Sequence, residues 1–233
     1  MLCQIWKPLV GVLFGLSMLQ LSGCASVPSE LRNEKEITVV YRQNALPVGV
    51  HLITGAGVSL GLVGAAIDEA TKEKNEANQA RFAAINSPEN REQLFALFKK
   101  SFAEALKIRG LPSIEVPSLG GERLDARTHI PSFDRKSITT RWVIQIDEVV
   151  IRYNASSMFS NYQPWVWIKF ALFDMEDNAL TPIVPLTPAN FGNEKYHYKN
   201  ADALAAARTA ELLTGLQLTV KAAALDTSQR VRP

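Results

Sequence analysis

Two stretches of alternating apolar residues, 140–153 and 165–173, do most to constrain what this 233-residue chain can fold into. Successive side chains on a strand point to opposite faces, so a stretch that alternates belongs in a sheet with at least one covered face. In the second stretch Val166, Ile168, Phe170 and Leu172 make one apolar face. The other carries Trp165, Trp167, Lys169, Ala171 and Phe173, so it too is expected to be covered in part. The first stretch changes parity: Trp142, Ile144 and Ile146 share one face, whereas Val149, Ile151 and Tyr153 fall on the other. One extra residue near Asp147 or Glu148 would return both sets to a single face, so a bulge or bend is expected there.

The remaining elements are read around this pair. Residues 36–43 alternate as a strand, and 112–116 fit a short one. Residues 180–186 are extended, but Pro182 and Pro185 cannot donate to a ladder, which places them at a sheet edge. Ser87-Pro88-Glu89 combines an N-cap, a proline at the first helical position and an acid in the first turn. Leu94, Phe98, Phe102, Ala105 and Leu106 then keep helical spacing until Gly110. Residues 60–85 hold good helix formers, with Val63, Ile67 and Ala70 on one face. Asn200 caps an Ala- and Leu-rich helix that runs to about Leu225, with an interruption expected at Gly215. Residues 117–137 read as a long loop, 154–163 as a polar connection and 174–178 as a turn. The order is not that of alternating βα units. It implies an α+β fold, an antiparallel sheet of about four to five strands packed with helices.

The N-terminus reads as an address. Lys7 precedes an apolar run over 9–21, shorter than the about 20 residues that cross a bilayer, as in the h-region of a secretory signal. Leu21-Ser22-Gly23-Cys24 follows and resembles the lipobox of bacterial lipoproteins. That resemblance implies a diacylglyceryl thioether on Cys24, cleavage before it, and a fatty acid such as palmitate on the new amine. Ala25, rather than Asp, implies sorting to the outer membrane, with the domain facing the periplasm. Two or more acyl chains make such anchoring stable. Cys3 leaves with the signal and Cys24 is taken by lipid, so disulfides, cysteine nucleophiles and thiolate metal sites are excluded.

Cleavage would leave 210 of the 233 residues. The division expected is signal peptide 1–23, lipidated N-terminus and linker 24–35, a single α+β domain 36–227, and a flexible tail 228–233. The linker reaches at most about 35 Å. Losing Lys7 lowers the formal charge from +2 by one, with no basic excess to suggest nucleic acid.

A second resemblance covers residues 90–180. Helix positions Leu94, Phe98, Phe102, Leu106 and Gly110 lead to a short strand; Trp142-Val143-Ile144-Gln145-Ile146 then leads through a polar loop to the strand 166–174 and an acidic turn. This cadence resembles the periplasmic α/β module of curli-secretion and related envelope-assembly lipoproteins. It implies a binding or assembly role. The tryptophan common after the acidic turn in such modules is replaced by Leu180-Thr181-Pro182.

Several motifs invite chemistry and fail on context. Thr54-Gly55-Ala56-Gly57 with Gly61 resembles the phosphate loop of short-chain dehydrogenases, but Ser59 stands at the middle glycine and no tyrosine has Lys four residues on. Gly57-Val58-Ser59-Leu60-Gly61 fits the nucleophile-elbow pattern, with His129 or His197 downstream as base, the chain order permitting His197, and Asp174 or Asp177 as third member of a hydrolase triad. The parallel sheet such an elbow needs is not indicated, so a non-enzymatic protein is expected, with Ser59, His197 and Asp174 as the alternative. Residues 45–67 are almost uncharged. They read as a buried strand–turn–helix of small residues, with Gly57, Gly61 and Gly64 as a competing packing, membrane or oligomer contact. The three histidines lack metal-ligand spacing, so no metal or cofactor is expected beyond the covalent lipid. Asp147, Glu148, Asp174, Glu176 and Asp177 are read as solvated bend and turn carboxylates. Tyr162, Trp165 and Trp167 form an aromatic edge that could meet a partner, either a second copy or another envelope protein.

Overall fold

A computed structural model of the protein describes residues 29–42, 49–52, 76, 82–119, 131–155, 161–176, 179–183 and 194–231. Its strands are β1 (Ile37–Tyr41), β2 (Gly49–Leu52), β3 (Ser113–Val116), β4 (Trp142–Ala155), β5 (Gln163–Asp174) and β6 (Ala179–Ile183). Its helices are α1 (Pro88–Ile108), α2 (Ala201–Ala206) and α3 (Thr209–Val231).

The two alternating stretches are β4 and β5, antiparallel from Trp142↔Asp174 to Asn154↔Gln163. Their register shifts between Ile146 and Glu148, leaving Asp147 as the extra residue of a bulge. The parity change in the sequence therefore has the cause expected of it. Trp142, Ile144 and Ile146 join Val149, Ile151 and Tyr153 in one buried layer with Val166, Ile168, Phe170 and Leu172.

The fold is α+β, but the sheet is mixed rather than antiparallel, and it has six strands among the described residues. The order is β3-β1-β4-β5-β6, with β2 paired to β4. β1 runs parallel to both β3 and β4, and β2 runs parallel to β4. The β1–β3 pairing follows from the crossover through α1. This helix returns the chain to the start of β1, where the Pro112 carbonyl accepts the Ile37 N–H at 3.1 Å, so β3 must run alongside β1. β1 and β2 share one edge of β4 end to end, at residues 143–146 and 152–155. β6 lies at the opposite edge with Pro182 within it, as proline's missing donor requires.

α1 and α3 pack against each other over one face of the sheet, α3 above β5 and β4. Tyr41 of β1 meets Phe95 and Phe98 of α1 edge-on. On the other face Val40, Val143, Ala171 and Phe173 are covered by Phe133, whose ring lies 5.5 Å from that of Phe173. The residues before β4 are thus a cover for half of the second face.

α1 has the ends its sequence announces. Ser87 Oγ accepts the Asn90 N–H, and Pro88 is the first helical residue. At the other end Gly110 has φ 73°, the Leu111 N–H donates to the Leu106 carbonyl and the Gly110 N–H to the Lys107 carbonyl. This is a Schellman turn, with its hydrophobic contact supplied by the buried pair Leu106 and Leu111. The helix expected over 60–85 lies outside the described residues except at Glu76 and 82–85, where a turn buries Phe82 and Ile85.

The C-terminal helical region departs from expectation twice. Its break falls at Ala207, which is extended, and α3 runs unbroken through Gly215. Nor are residues 228–231 a tail: Ser228 and Val231 are fully buried. The hydroxyls that make this stretch look solvent-bound are satisfied within the helix, Thr227 on the Ala223 carbonyl and Ser228 on that of Leu225. The stretch expected as a linker over 24–35 is structured in its second half. A 3-10 turn at Ser29–Asn33 places Leu31, 0% exposed, in the main core.

Gly215 serves close packing. A Cβ there would collide with the Tyr153 hydroxyl and stand 3.0 Å from the Tyr196 ring. Tyr153 is held in place because its hydroxyl donates to the Leu212 carbonyl at 3.1 Å. Alanine for glycine within a helix ordinarily gains about 1 kcal/mol. Here Gly215→Ala is expected to lose about 1–3 kcal/mol through overpacking, read as a lower denaturant midpoint.

The same corner governs alkaline stability. The Tyr198 hydroxyl donates to the Glu211 carboxylate at 3.2 Å. Burial first, then the negative charge of Glu211, pushes the Tyr198 phenol up to about 12, and burial drives Tyr153 and Tyr41 further. An unfolded chain ionises these phenols near pH 10. Their contribution is therefore complete below about pH 10 and is lost as pH rises toward 12 and beyond. Urea midpoints should fall between pH 9 and pH 11, and Tyr198→Phe should flatten part of that fall.

Candidate functional site

The half of the second sheet face that lies beyond Phe133 carries the candidate surface. Past the bulge, β4 turns Glu148, Val150 and Arg152 to the face opposite the helices, directly across from Lys169, Trp167 and Trp165 of β5. All six are half-buried. Two rows of this patch join unlike partners: Glu148 opposes Lys169, and the Arg152 guanidinium lies 4.3 Å from the Trp165 ring centroid. A cation over an indole at a partly desolvated site contributes about 1–2 kcal/mol. Burial lowers the Arg152 pKa, and the Glu148 charge opposes that shift. The Arg152 Nε is buried without a hydrogen-bond partner. An aromatic–cation face of this kind can seat a flat or anionic group of a partner.

Trp165 and Trp167 therefore stand where an aromatic surface was expected, but Tyr162 does not. It is 3% exposed and exchanges both backbone hydrogen bonds with Tyr198, at 2.7 and 2.8 Å. Tyr162 has the parity of Val166 and so faces the helices; strand alternation separates it from the tryptophans. Glu148, Val150 and Arg152 could not be grouped with the tryptophans from the sequence because their place on this face depends on the register across the bulge, whereas Lys169 shares the strand parity of Trp165 and Trp167 and stands where that parity puts it.

A second polar group lies at the bulge itself. Asp147 and Arg42 form an ion pair of 3.6 Å with side chains only 7% and 8% exposed. Gln145 Nε2 donates to Asp147 Oδ1 at 2.7 Å, while Gln145 Oε1 accepts the Ser132 N–H at 2.8 Å. Asp174 is buried too. Arg141 grips it with Nε and Nη2 at 3.2 and 2.8 Å, and it accepts the Glu176 N–H. Both aspartates were expected to be solvated. Asp147 is buried because a bulge leaves room for its carboxylate beneath the 131–134 cover. Asp174 is buried because the hairpin folds Arg141 onto it. These are internal clamps rather than acid–base groups facing a substrate.

The two described members of the alternative triad, His197 and Asp174, do not meet. His197 adjoins the Tyr162–Tyr198 bridge at one end of β5, whereas Asp174 ends that strand. About 12 residues of strand, roughly 35–40 Å, separate them. Ser59, Cys24, Gly57, Gly61, Gly64 and Asp177 lie outside the described residues. A cleft of about 300 Å³ between the Phe82–Asn86 turn and the α2–α3 junction is lined by Phe82, Ala84, Ile85, Ala205, Ala207, Thr209 and Leu212, with no titratable group. Among the described residues no three His, Cys, Asp or Glu side chains converge as metal ligands would, and no helix is long and apolar enough to cross a membrane.

No protein-family model matches the chain, and a search of curated proteins finds no similar sequence.

Removing one partner of a buried ion pair costs far more than removing a surface pair. Asp147→Ala is expected to destabilise the fold by about 3 kcal/mol, whereas Lys169→Ala on the half-exposed face should change it by less than about 1 kcal/mol. Chemical denaturation of the two variants compares them directly.

Proposed function

We propose that the protein is a lipid-anchored envelope lipoprotein that acts by binding, as a scaffolding or assembly component, and not by catalysis. In this reading residues 1–23 are removed, Cys24 carries diacylglyceryl and fatty-acyl groups, and the outer membrane holds the domain on its periplasmic side. The observation that carries it is the Leu21-Ser22-Gly23-Cys24 sequence directly after an apolar run with Lys7 before it. Two structural features support a binding role. One sheet face is given to the helical core, and half of the other presents Trp165, Trp167 and Arg152. Among the described residues, Asp147 and Asp174 are held in internal clamps, and His197 stands at the opposite end of β5 from Asp174. The partner is then a second copy of the chain or another envelope protein that meets the tryptophan face.

The test is metabolic labelling of the full chain with palmitate in a Gram-negative host, followed by separation of inner and outer membranes. Wild-type protein should carry label and sediment with the outer membrane. Cys24→Ser should lose the label and shift out of the outer-membrane fraction. An unlabelled wild-type protein would remove the proposal. Arg152→Ala in the labelled protein should weaken complex formation, read by in-cell crosslinking at Trp167, without altering anchoring.

A further inference from the structure

The position of Leu31 has a consequence for how such an anchor would hold the domain. Leu31 is fully buried, and only six residues separate it from Cys24. The path between them spans at most about 25 Å. β4 alone has 14 residues and extends about 45 Å. A tether of that length fixes which end of the sheet stands next to the lipid. That end is the one where β1 begins, where the Ile37 N–H meets the Pro112 carbonyl and α1 terminates.

At this pole the last residue of α1, Ile108, is 85% exposed, the most exposed of the large hydrophobic residues among those described. It stands between Lys107 and Arg109, while Arg32 and Lys35 lie on the chain just after Leu31. An aliphatic side chain flanked by long cationic ones is the arrangement that seats at a bilayer interface: the apolar group enters the acyl boundary and the cations reach phosphates. Glu34 and Glu36 interleave with these cations, so long-range attraction to an anionic surface is weak. The tether supplies what attraction does not. A short link raises the effective concentration of the pole at the lipid to the millimolar range or above, enough to populate a contact too weak to form in free solution.

We infer that this pole is a membrane-docking surface: Ile108 inserts at the phospholipid interface, with Lys107, Arg109, Arg32 and Lys35 at headgroup level. The inference rests on the lipoprotein reading, and its occupant is the lipid surface that holds Cys24.

The experiment uses the full chain, purified from membranes and placed in phosphatidylethanolamine–phosphatidylglycerol vesicles. Ile108→Cys, in a mature chain whose own cysteine is acylated, gives a single thiol for a nitroxide. Lys199→Cys, at the opposite pole, gives the reference. Relaxation of the label by oxygen dissolved in the bilayer should be several-fold stronger at position 108 than at 199. Relaxation by a water-soluble nickel chelate should show the reverse order. Equal accessibility at both positions in acylated, vesicle-bound protein overturns the docking and leaves the anchor intact. Protein whose mass shows no acylation and which stays outside the vesicles overturns the anchor, and the docking with it.

Discussion

The bulge at Asp147 is the constraint on which the sheet depends. Without the extra residue, Val149, Ile151 and Tyr153 would point away from the helices while Trp142, Ile144 and Ile146 pointed toward them. Half the apolar side chains of β4 would then be lost from the core, a penalty of several kcal/mol at about 1.5–3 kcal/mol for each large side chain. The cost of the bulge is a carboxylate drawn inside the protein. Arg42 and Gln145 meet that cost, and Gln145 in turn holds the backbone of Ser132, which fixes the cover formed by Phe133. One inserted residue thus aligns the main core, places the ion pair and anchors the second layer.

The bulge also determines which side chains face outward. Glu148, Val150 and Arg152 come into line with Lys169, Trp167 and Trp165 only because the register has moved by one. On the near side of the bulge the second face is closed by Phe133; on the far side it holds the half-buried tryptophans. The division between the part of this face covered by Phe133 and the part that holds the tryptophans falls at Asp147, so the bulge ties stability to the candidate surface.

Features decided within a few residues were legible in the sequence. The Ser87 cap, the Leu94–Leu106 spacing, the Gly110 turn and the parity change in β4 each follow from local rules, and each stands as those rules imply. Features decided by distant contacts were not. The parallel pairing of β1 with β3 depends on where α1 returns the chain, and that with β4 on the path after β3, neither of which alternation within a strand encodes. Gly215 looks like a helix breaker until Tyr153 and Tyr196 are brought against it. Asp147 and Asp174 look solvated until Arg42 and Arg141 arrive from 105 and 33 residues away. Tyr162 was grouped with the tryptophans by nearness in sequence and separated from them by strand parity.

The burial of Leu31 links these internal arrangements to the proposed anchor. Arg152 and Trp165 lie about ten residues along the sheet from the end where Leu31 enters, roughly 30 Å. A tether fastened at that end would hold the tryptophan face away from the lipid while keeping its height nearly constant. A flexible linker of 30 or 40 residues would let the domain tumble and dilute that face over a larger volume. A short one would present it in a narrow layer above the membrane, where a partner confined to the same layer would meet it at raised effective concentration. A binding protein with only a modest aromatic–cation patch gains more from such placement than an enzyme would, because encounter frequency, not chemistry, limits what it does.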